Sequence, residues 1–122
     1  MSKAKILIID DEREIVELVS LMLKARDYSI VSALDGQDGL NKAKVEQPDL
    51  ILLDIMMPGI DGYAVCLKLK SNKDTKNIPV VIMSGKAERE AIVKTHSLGV
   101  SDFIVKPFNL PMLLGKLGKY LR

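Results

Sequence analysis

The clearest structural signal in this chain is the segment DLILLDIMMPGIDG, which occupies residues 49–62. Its apolar run at residues 50–53 is too short for a helix and is typical of a strand buried on both faces of a parallel sheet. The turn-forming pairs Pro58-Gly59 and Asp61-Gly62 indicate that the chain leaves the sheet soon after Asp54. The Asp54 carboxylate is therefore predicted at the carboxyl end of a strand, which is where open α/β sheets bind ligands.

The composition favours one globular domain over residues 1–122. Hydrophobic residues make up 48% of the chain and charged residues 28%, an ordinary balance for a folded protein. The formal net charge is only +2 and the basic residues are scattered, so direct binding to nucleic acid is not expected. No apolar run approaches about 18 residues and no signal peptide is recognisable, which predicts a cytoplasmic protein without a membrane partner.

The single cysteine and the single histidine restrict the chemistry further. Cys66 has no second cysteine with which to form an internal disulfide, and its apolar helical neighbours indicate a small core residue rather than a nucleophile. His96 is the only histidine, which likewise makes a metal cluster built on histidines implausible. Any metal site is therefore expected to consist of oxygen ligands.

Short apolar runs alternate with amphipathic segments along the whole chain. Strands are predicted at residues 5–9, 28–34, 50–53, 78–83 and 102–105, and helices at residues 12–26, 36–46, 62–71, 87–97 and 110–121. A capping box of Asp11 and Glu14 is expected to open the first helix. Five strands alternating with five helices predict an α/β fold, in which a parallel five-stranded sheet carries helices on both faces.

Polar residues stand at the ends of four predicted strands, and parallel strands bring these ends to one edge of the sheet. They are Asp10 and Asp11 after the first strand, Asp54 after the third, Ser84 after the fourth and Lys106 after the fifth. Clustered carboxylates repel one another, and a divalent cation such as Mg²⁺ would relieve that repulsion. With Lys106 as a second positive charge, the set suits phosphoryl transfer to Asp54, which would become an acyl phosphate.

Four motifs make the whole chain resemble the receiver domains of two-component response regulators, particularly those of the chemotaxis type. They are IDDE at residues 9–12, LDIMMPGIDG at residues 53–62, MSG at residues 83–85 and VKPF at residues 105–108. Each motif alone is weak, but four in the right order at strand ends are specific. The resemblance implies a flavodoxin-like, doubly wound (βα)5 sandwich of three layers with the strand order 2-1-3-4-5.

The resemblance also implies a set of functional residues. Asp54 would accept a phosphoryl group from the phosphohistidine of a histidine kinase or phosphotransfer protein in a phosphorelay, without turning over an external substrate. Mg²⁺ or Mn²⁺ would be held by Asp10, Asp11, Asp54 and the backbone carbonyl of Met56. Lys106 would pair with the phosphate and assist catalysis at Asp54, and the Lys106-Pro107 bond would be cis.

Ser84 and Phe103 would form the switch that this resemblance implies. The hydroxyl of Ser84 would move to the phosphoryl group, and the aromatic ring would turn into the vacated space. Phe103 lacks the hydroxyl of a tyrosine, so it would act by packing alone. The repacked face would comprise the helix predicted at residues 87–97, the fifth strand and the last helix, and it would contact a downstream target or output domain or form a homodimer on phosphorylation.

Two further positions are expected to set the lifetime of the phosphorylated form. Met56 and Lys86 stand two residues after Asp54 and Ser84, at positions that tune this lifetime in receiver domains. An apolar Met56 would hinder the attacking water, and Lys86 could approach the phosphoryl oxygens, which together predict a long-lived phosphoprotein. Unchanged dephosphorylation rates in Met56→Asn and Lys86→Glu would exclude this role.

Other functions for the strand-end Asp remain to be compared. A phosphatase resembling the haloacid dehalogenases would place an acidic residue two positions after the nucleophile, where this chain has Met56. The alternative retained is a receiver-like binding module that does not depend on phosphorylation, although none of the expected acidic or lysine positions is missing. Gly115 and Gly118 in the last helix indicate either a frayed end or the close approach of a partner.

Overall fold

The computed structural model describes residues 4–57, 61–85, 93 and 96–121. These residues contain the strands β1 Lys5–Ile9, β2 Ser29–Ala33, β3 Leu50–Asp54, β4 Val80–Ser84 and β5 Asp102–Val105. They also contain the helices α1 Arg13–Lys24, α2 Gly36–Glu46, α3 Gly62–Ser71 and α4 Leu110–Tyr120. The Pro58-Gly59 turn and most of the helix predicted at residues 87–97 lie outside the described residues.

The strands form one parallel sheet with the order β2-β1-β3-β4-β5. This arrangement confirms the predicted doubly wound α/β fold of the flavodoxin type. β3 occupies the centre of the sheet and pairs with β1 and β4. Because the strands are parallel, their carboxyl ends meet at one edge, and the polar residues predicted there are brought together from distant parts of the sequence.

Two hydrophobic layers cover the sheet, one on each face. Alternate residues of β3 point to opposite sides, so that Ile51 and Leu53 pack with α2 and α3 whereas Leu50 and Leu52 pack with α1 and α4. All four side chains are fully buried. An unbroken apolar strand is therefore explained by helices on both faces, and the three-layer architecture follows.

The capping box predicted at the start of α1 is wrong. The N-cap residue is Glu12, whose side chain makes no capping hydrogen bond. Instead, Asp10 Oδ1 accepts a hydrogen bond of 2.9 Å from the backbone N–H of Glu12. The Asp10 carboxylate thus holds the turn between β1 and α1, and the helix begins one residue later than a cap at Asp11 would require.

The bounds of β2 and β4 also differ from the prediction. β2 is shorter by one residue at each end, and β4 begins at Val80 rather than Ile78. Pro79 has no N–H to offer to a neighbouring strand, so regular pairing of β4 starts only after it. At its other end β4 includes Ser84, which keeps this hydroxyl in the sheet and beside the carboxyl end of β3.

Candidate functional site

An ammonium group lies among three carboxylates at the carboxyl edge of the described sheet. Lys106 Nζ is 2.9 Å from Asp10 Oδ2, 3.4 Å from Glu12 Oε1 and 3.5 Å from Asp54 Oδ2. Each of the three acids offers an oxygen that lies within 4.8 Å of the others. Asp10 and Asp54 are buried, whereas Glu12 is exposed at the rim. The site therefore concentrates negative charge around one partly buried lysine.

The backbone around β1 and β3 explains why the two buried acids are fixed. Asp10 directly follows β1, and its N–H donates to the carbonyl of Ala33 at the end of β2. Asp54 is the last residue of β3, in register with Met83 of β4, and its Oδ1 accepts a hydrogen bond of 3.2 Å from Met56 N–H. Both carboxylates are therefore held by hydrogen-bonded backbone rather than by mobile loops.

The start of α3 packs tightly against the exit from β3. The N–H of Gly62 donates to the carbonyl of Ile55. A Cβ at position 62 would lie only 2.4 Å from Ile55 Cα and 2.5 Å from the carbonyl oxygen of Asp54. Glycine is needed here because the helix and the strand that carries Asp54 approach too closely for any side chain.

The charges of the site shift the pKa values of Asp54 and Lys106. Burial, followed by the nearby Asp10 carboxylate, raises the pKa of Asp54 to about 7, although Lys106 and the Met56 N–H act to lower it. Burial lowers the pKa of Lys106, but its hydrogen bond to Asp10 and the charges of Asp54, Asp10 and Glu12 outweigh this and raise the pKa overall. One lysine thus does not neutralise the cluster, which has capacity for further positive charge.

Ser84 contributes a hydroxyl group that is buried and has no hydrogen-bond partner among the described residues. Its backbone is firmly placed, because its carbonyl accepts a hydrogen bond of 2.6 Å from Lys106 N–H. Burying a hydroxyl without a partner is unfavourable by about 1–3 kcal/mol. The hydroxyl is therefore free to bond to a group that enters the site.

Met56 and Phe103, two further residues predicted from the sequence, are exposed. Met56 is 61% exposed and Phe103 is 41% exposed, so neither side chain belongs to the core. Lys86 lies outside the described residues. The Lys106-Pro107 peptide bond is cis, as the resemblance implied.

Glu12 is the residue that the sequence prediction of the site did not assign. Asp11, which was predicted as a metal ligand, is exposed and is not part of the group formed by Asp10, Glu12 and Asp54. The available signal was the unbroken acidic run that follows β1, since any of its members could turn towards the site. Only the backbone path into α1 decides which of them does.

An apolar groove begins at the rim of the site and follows α1. It has a volume of about 390 Å³ and lies between α1 and the segment 106–108. Its lining consists of Glu12, Ile15, Leu18, Val19, Met22, Lys106, Pro107 and Phe108. Leu18, which is 54% exposed, presents part of this apolar lining to solvent. Since Glu12 and Lys106 line both features, the groove and the ionic site are continuous.

The structure also agrees with the expectation made for the single cysteine. Cys66 is fully buried in the core, and burial raises the pKa of its thiol to about 11, which disfavours the reactive thiolate. Among the residues described, no helix combines the length and the apolar character needed to cross a bilayer.

Comparison with known families gives a match over nearly the whole chain. The sequence profile of the response regulator receiver domain matches residues 6–117. The crystal structure of the chemotaxis protein CheY4 from Vibrio cholerae superimposes with a TM-score of 0.92 at 29% identity, covering 98% of this chain and all of that protein.

Curated relatives of this chain include regulators that are considerably longer. Response regulator PleD of Caulobacter vibrioides is 40% identical over 119 residues, which cover 98% of this chain and 26% of PleD. The DNA-binding dual master transcriptional regulator RpaA of Synechocystis is 36% identical over 118 residues, covering 97% of this chain and 49% of RpaA. The chain therefore spans between a quarter and a half of these two relatives.

Proposed function

Because the chain belongs to the response regulator receiver domain family of two-component signalling, we propose that Asp54 is its phosphoacceptor. Receiver domains of this family act in signalling and are not enzymes that turn over an external substrate. The observation that carries the proposal is the placement of a buried Asp54 carboxylate 3.5 Å from Lys106 Nζ and beside Asp10. A phosphoryl group attached to Asp54 would lie beside the ammonium group of Lys106.

The proposed reaction transfers a phosphoryl group from a phosphohistidine. A carboxylate oxygen of Asp54 attacks the phosphorus, the phosphorus–nitrogen bond breaks, and the neutral imidazole of the donor leaves after taking up a proton. Lys106 pairs with the negative charge on the transferred oxygens, and the Ser84 hydroxyl donates to one of them. Subsequent attack of water on the acyl phosphate returns the Asp54 carboxylate and releases inorganic phosphate.

The donor set of the site fits a divalent cation. Carboxylate oxygens without nitrogen or sulfur ligands suit Mg²⁺ or Mn²⁺, and the excess negative charge around Lys106 favours binding. We infer that Asp10, Asp11, Asp54 and the Met56 carbonyl would hold the ion, with Glu12 adding charge from the rim. When bound, the ion would neutralise charge that develops on the phosphoryl oxygens.

Asparagine and glutamine variants separate the contributions of the two exposed acids. We expect Asp11→Asn to weaken Mg²⁺ binding by about ten-fold or more, because a ligand oxygen loses its charge. Glu12→Gln should weaken it by only about two- to five-fold, since a charge at the exposed rim is screened. Calorimetric titration of the unphosphorylated protein with Mg²⁺ measures both effects, and Glu14→Gln is the matched control. Equal affinities in all four proteins would contradict this assignment.

The switch proposed for this site involves Ser84 and Phe103. An unpartnered buried hydroxyl on β4 and a half-exposed aromatic ring on β5 support it. Movement of Ser84 towards the phosphoryl group would let the ring turn inward and change the surface formed by β5 and α4. We propose that this surface, together with the helix predicted at residues 87–97, contacts a downstream target or output domain or a second copy of the chain.

The groove along α1 is the proposed docking site for the phosphoryl donor. Receiver domains interact with histidine kinases, and a donor helix that buries apolar residues in the groove would place its histidine near Glu12 and Lys106. The apolar lining of the groove would provide affinity for the donor helix. Because the groove is continuous with the ionic site, a helix bound there would hold its phosphohistidine close to Asp54. We propose that this partner is a histidine-bearing helix of a kinase or phosphotransfer protein.

Intact-mass measurement tests the function directly. The wild-type protein incubated with acetyl phosphate and Mg²⁺ should gain the mass of one phosphoryl group, and EDTA should prevent the gain. Asp54→Ala should show no adduct, whereas Asp38→Asn, a change at a surface carboxylate, should react normally. A folded wild-type protein that gains no mass, beside a receiver domain that does, would favour a binding module independent of phosphorylation.

A further inference from the structure

Asp102 organises a compact network between β5 and α4. Its Oδ1 accepts hydrogen bonds from Phe103 N–H at 2.8 Å and from Lys116 Nζ at 3.0 Å. Its Oδ2 accepts one from the Tyr120 hydroxyl at 3.1 Å and lies 3.6 Å from Lys119 Nζ. Burial acts to raise the pKa of Asp102, but the bonds from Lys116, Phe103 N–H and Tyr120 outweigh it and lower the pKa. Asp102 therefore stays ionised and fixes the donors around it.

Lys116 links this network to the ring of Phe103. While it is bonded to Asp102, its Nζ lies 5.7 Å from the centroid of the Phe103 ring, within the range of a cation–π contact. The side chain of Lys116 is 29% exposed, whereas that of Lys119 is 60% exposed. Lys116 is thus held in one place by Asp102 and offers its charge to the aromatic face.

The position of Phe103 requires such a contact. An aromatic ring that is 41% exposed gives up part of the stabilisation that burial provides. Phe103 and Asp102 are neighbours on a strand and point to opposite faces of the sheet. β5 is the outermost strand of the described sheet, so Lys116 can reach round its edge from α4 to the ring. The contact offsets the exposure of the ring and favours its outward position.

We propose that Asp102 and Lys116 are positioning residues that hold the Phe103 ring at the surface in the unphosphorylated protein. The inference rests on the proposed function only in taking the inward turn of this ring as the switched state. Asp102 orients Lys116, and Lys116 stabilises the outward ring, so phosphorylation has to overcome this contact before the surface changes. The strength of the clamp therefore sets the fraction of molecules that are switched without a phosphoryl group.

Fluorine NMR can follow the clamp directly, because the chain contains two phenylalanines. Protein labelled with 4-fluorophenylalanine should give two resonances, and Phe103→Leu identifies that of Phe103. Broadening by a soluble gadolinium chelate then reports the exposure of the ring without any phosphorylation. We expect Lys116→Ala and Asp102→Asn to reduce the ratio of outward to inward ring about two- to five-fold, as the loss of one exposed cation–π contact predicts.

Two further variants separate the clamp from a general effect of charge or stability. Lys119→Ala removes the same charge from the same helix and should leave the Phe103 resonance and its broadening unchanged. Lys116→Arg keeps a cation over the ring and should behave like the wild type. An unchanged ring exposure in Lys116→Ala, or an equal change in Lys119→Ala, would overturn the proposal.

Failure of the clamp and failure of the proposed function give different results. Beryllofluoride with Mg²⁺, which mimics a phosphoryl group on a carboxylate, should shift the wild-type Phe103 resonance towards the inward position. If beryllofluoride and Mg²⁺ leave the wild-type Phe103 resonance unchanged, the proposed switch is wrong. The gadolinium measurement on the unliganded variants would still decide whether Asp102 and Lys116 hold the ring.

Discussion

Asp54 and Asp10 are two acidic side chains that lie almost completely out of water at the same edge of the sheet. Among the contacts described, Lys106 is the only lysine that reaches them, and it is shared by both. Burial, together with the nearby Asp10 carboxylate, raises the pKa of Asp54 to about 7, although Lys106 acts to lower it. This shift makes the metal-free site sensitive to pH and receptive to a cation.

The stability of the metal-free protein should fall as the pH rises from about 4 to about 7. The folded state keeps a proton on Asp54 up to about pH 7, whereas the unfolded chain releases it near pH 4, so the folded state binds more protons between these values. The slope should not exceed about 1.4 kcal/mol per pH unit. Urea unfolding in EDTA measures it for the wild type and for Asp54→Asn.

The Asp54→Asn variant should lack most of this slope, because its amide does not titrate. It should also be more stable than the wild type at about pH 7.5, where the wild-type carboxylate is charged. Mg²⁺ should reverse the order by stabilising the wild type alone. Parallel pH profiles for the two proteins would show that the slope comes from other groups.

At the scale of single elements, three of the four described helices begin with a side-chain cap. Asp35, Asp61 and Asn109 accept hydrogen bonds from the backbone of the third residue that follows each of them. Such caps are worth about 1 kcal/mol each. The exception is α1, whose N-cap residue Glu12 makes no capping hydrogen bond with its side chain. The Glu12 carboxylate instead lies near Lys106 in the ionic site.

Gly115 and Gly118 in α4 offer a test of helix stability against partner binding. A Cβ at either position would meet no atom within 4 Å, so alanine fits without strain. Each Gly→Ala change should raise the free energy of unfolding by up to about 1 kcal/mol. Denaturant unfolding checks this, with Gly39→Ala as the opposite case, because a Cβ there would lie 2.6 Å from Ile9 Cδ1.

The same two variants examine whether the glycines serve an interface. If a partner approaches α4 closely, Gly115→Ala and Gly118→Ala should each weaken that association, although each change makes α4 more stable. Sedimentation of the protein with beryllofluoride and Mg²⁺ measures self-association. If the variants are more stable and associate like the wild type, the two glycines do not serve an interface.

At the scale of the whole molecule, the ionic site and the apolar groove join two parts of the chain that are far apart in sequence. α1 supplies one wall of the groove and the segment 106–108 supplies the other. Lys106 contacts Asp10 across 96 positions of sequence. Only the order of the parallel sheet, with β1 and β5 on opposite sides of β3, sets the distance between them.

Leu18→Lys should separate the two ways in which the protein can be phosphorylated. A charge in the groove should slow transfer from a purified histidine kinase by about ten-fold or more, because the donor helix loses an apolar contact at the centre of its interface. Reaction with acetyl phosphate, which needs no docking, should be unchanged. Initial rates of phosphorylation with each donor provide the comparison.

Leu21→Lys is the matched control for this groove. Leu21 is 69% exposed on the same helix but is not among the residues that line the groove, so its charged variant should accept phosphate from both donors at the wild-type rate. If Leu18→Lys also reacted normally with the kinase, the donor would have to bind elsewhere.

The sequence by itself determined the five strands, the four described helices, the α/β class and most of the residues at the sheet edge. These follow from local periodicity and from strand ends, which depend on near neighbours in the chain. The motifs at residues 9–12, 53–62, 83–85 and 105–108 added the strand order, through the family that they resemble. The sequence also indicated a core position for Cys66, because its neighbours are apolar at helical spacing.

The tertiary structure decided the features that depend on how distant segments meet. It turned Glu12 rather than Asp11 towards Lys106, because Asp10 holds the turn before α1. It left the Ser84 hydroxyl without a partner and brought Lys116 over Phe103 from the other face of the sheet edge. Local patterns cannot specify such contacts, since their energies arise only when the packed sheet fixes the distances between side chains.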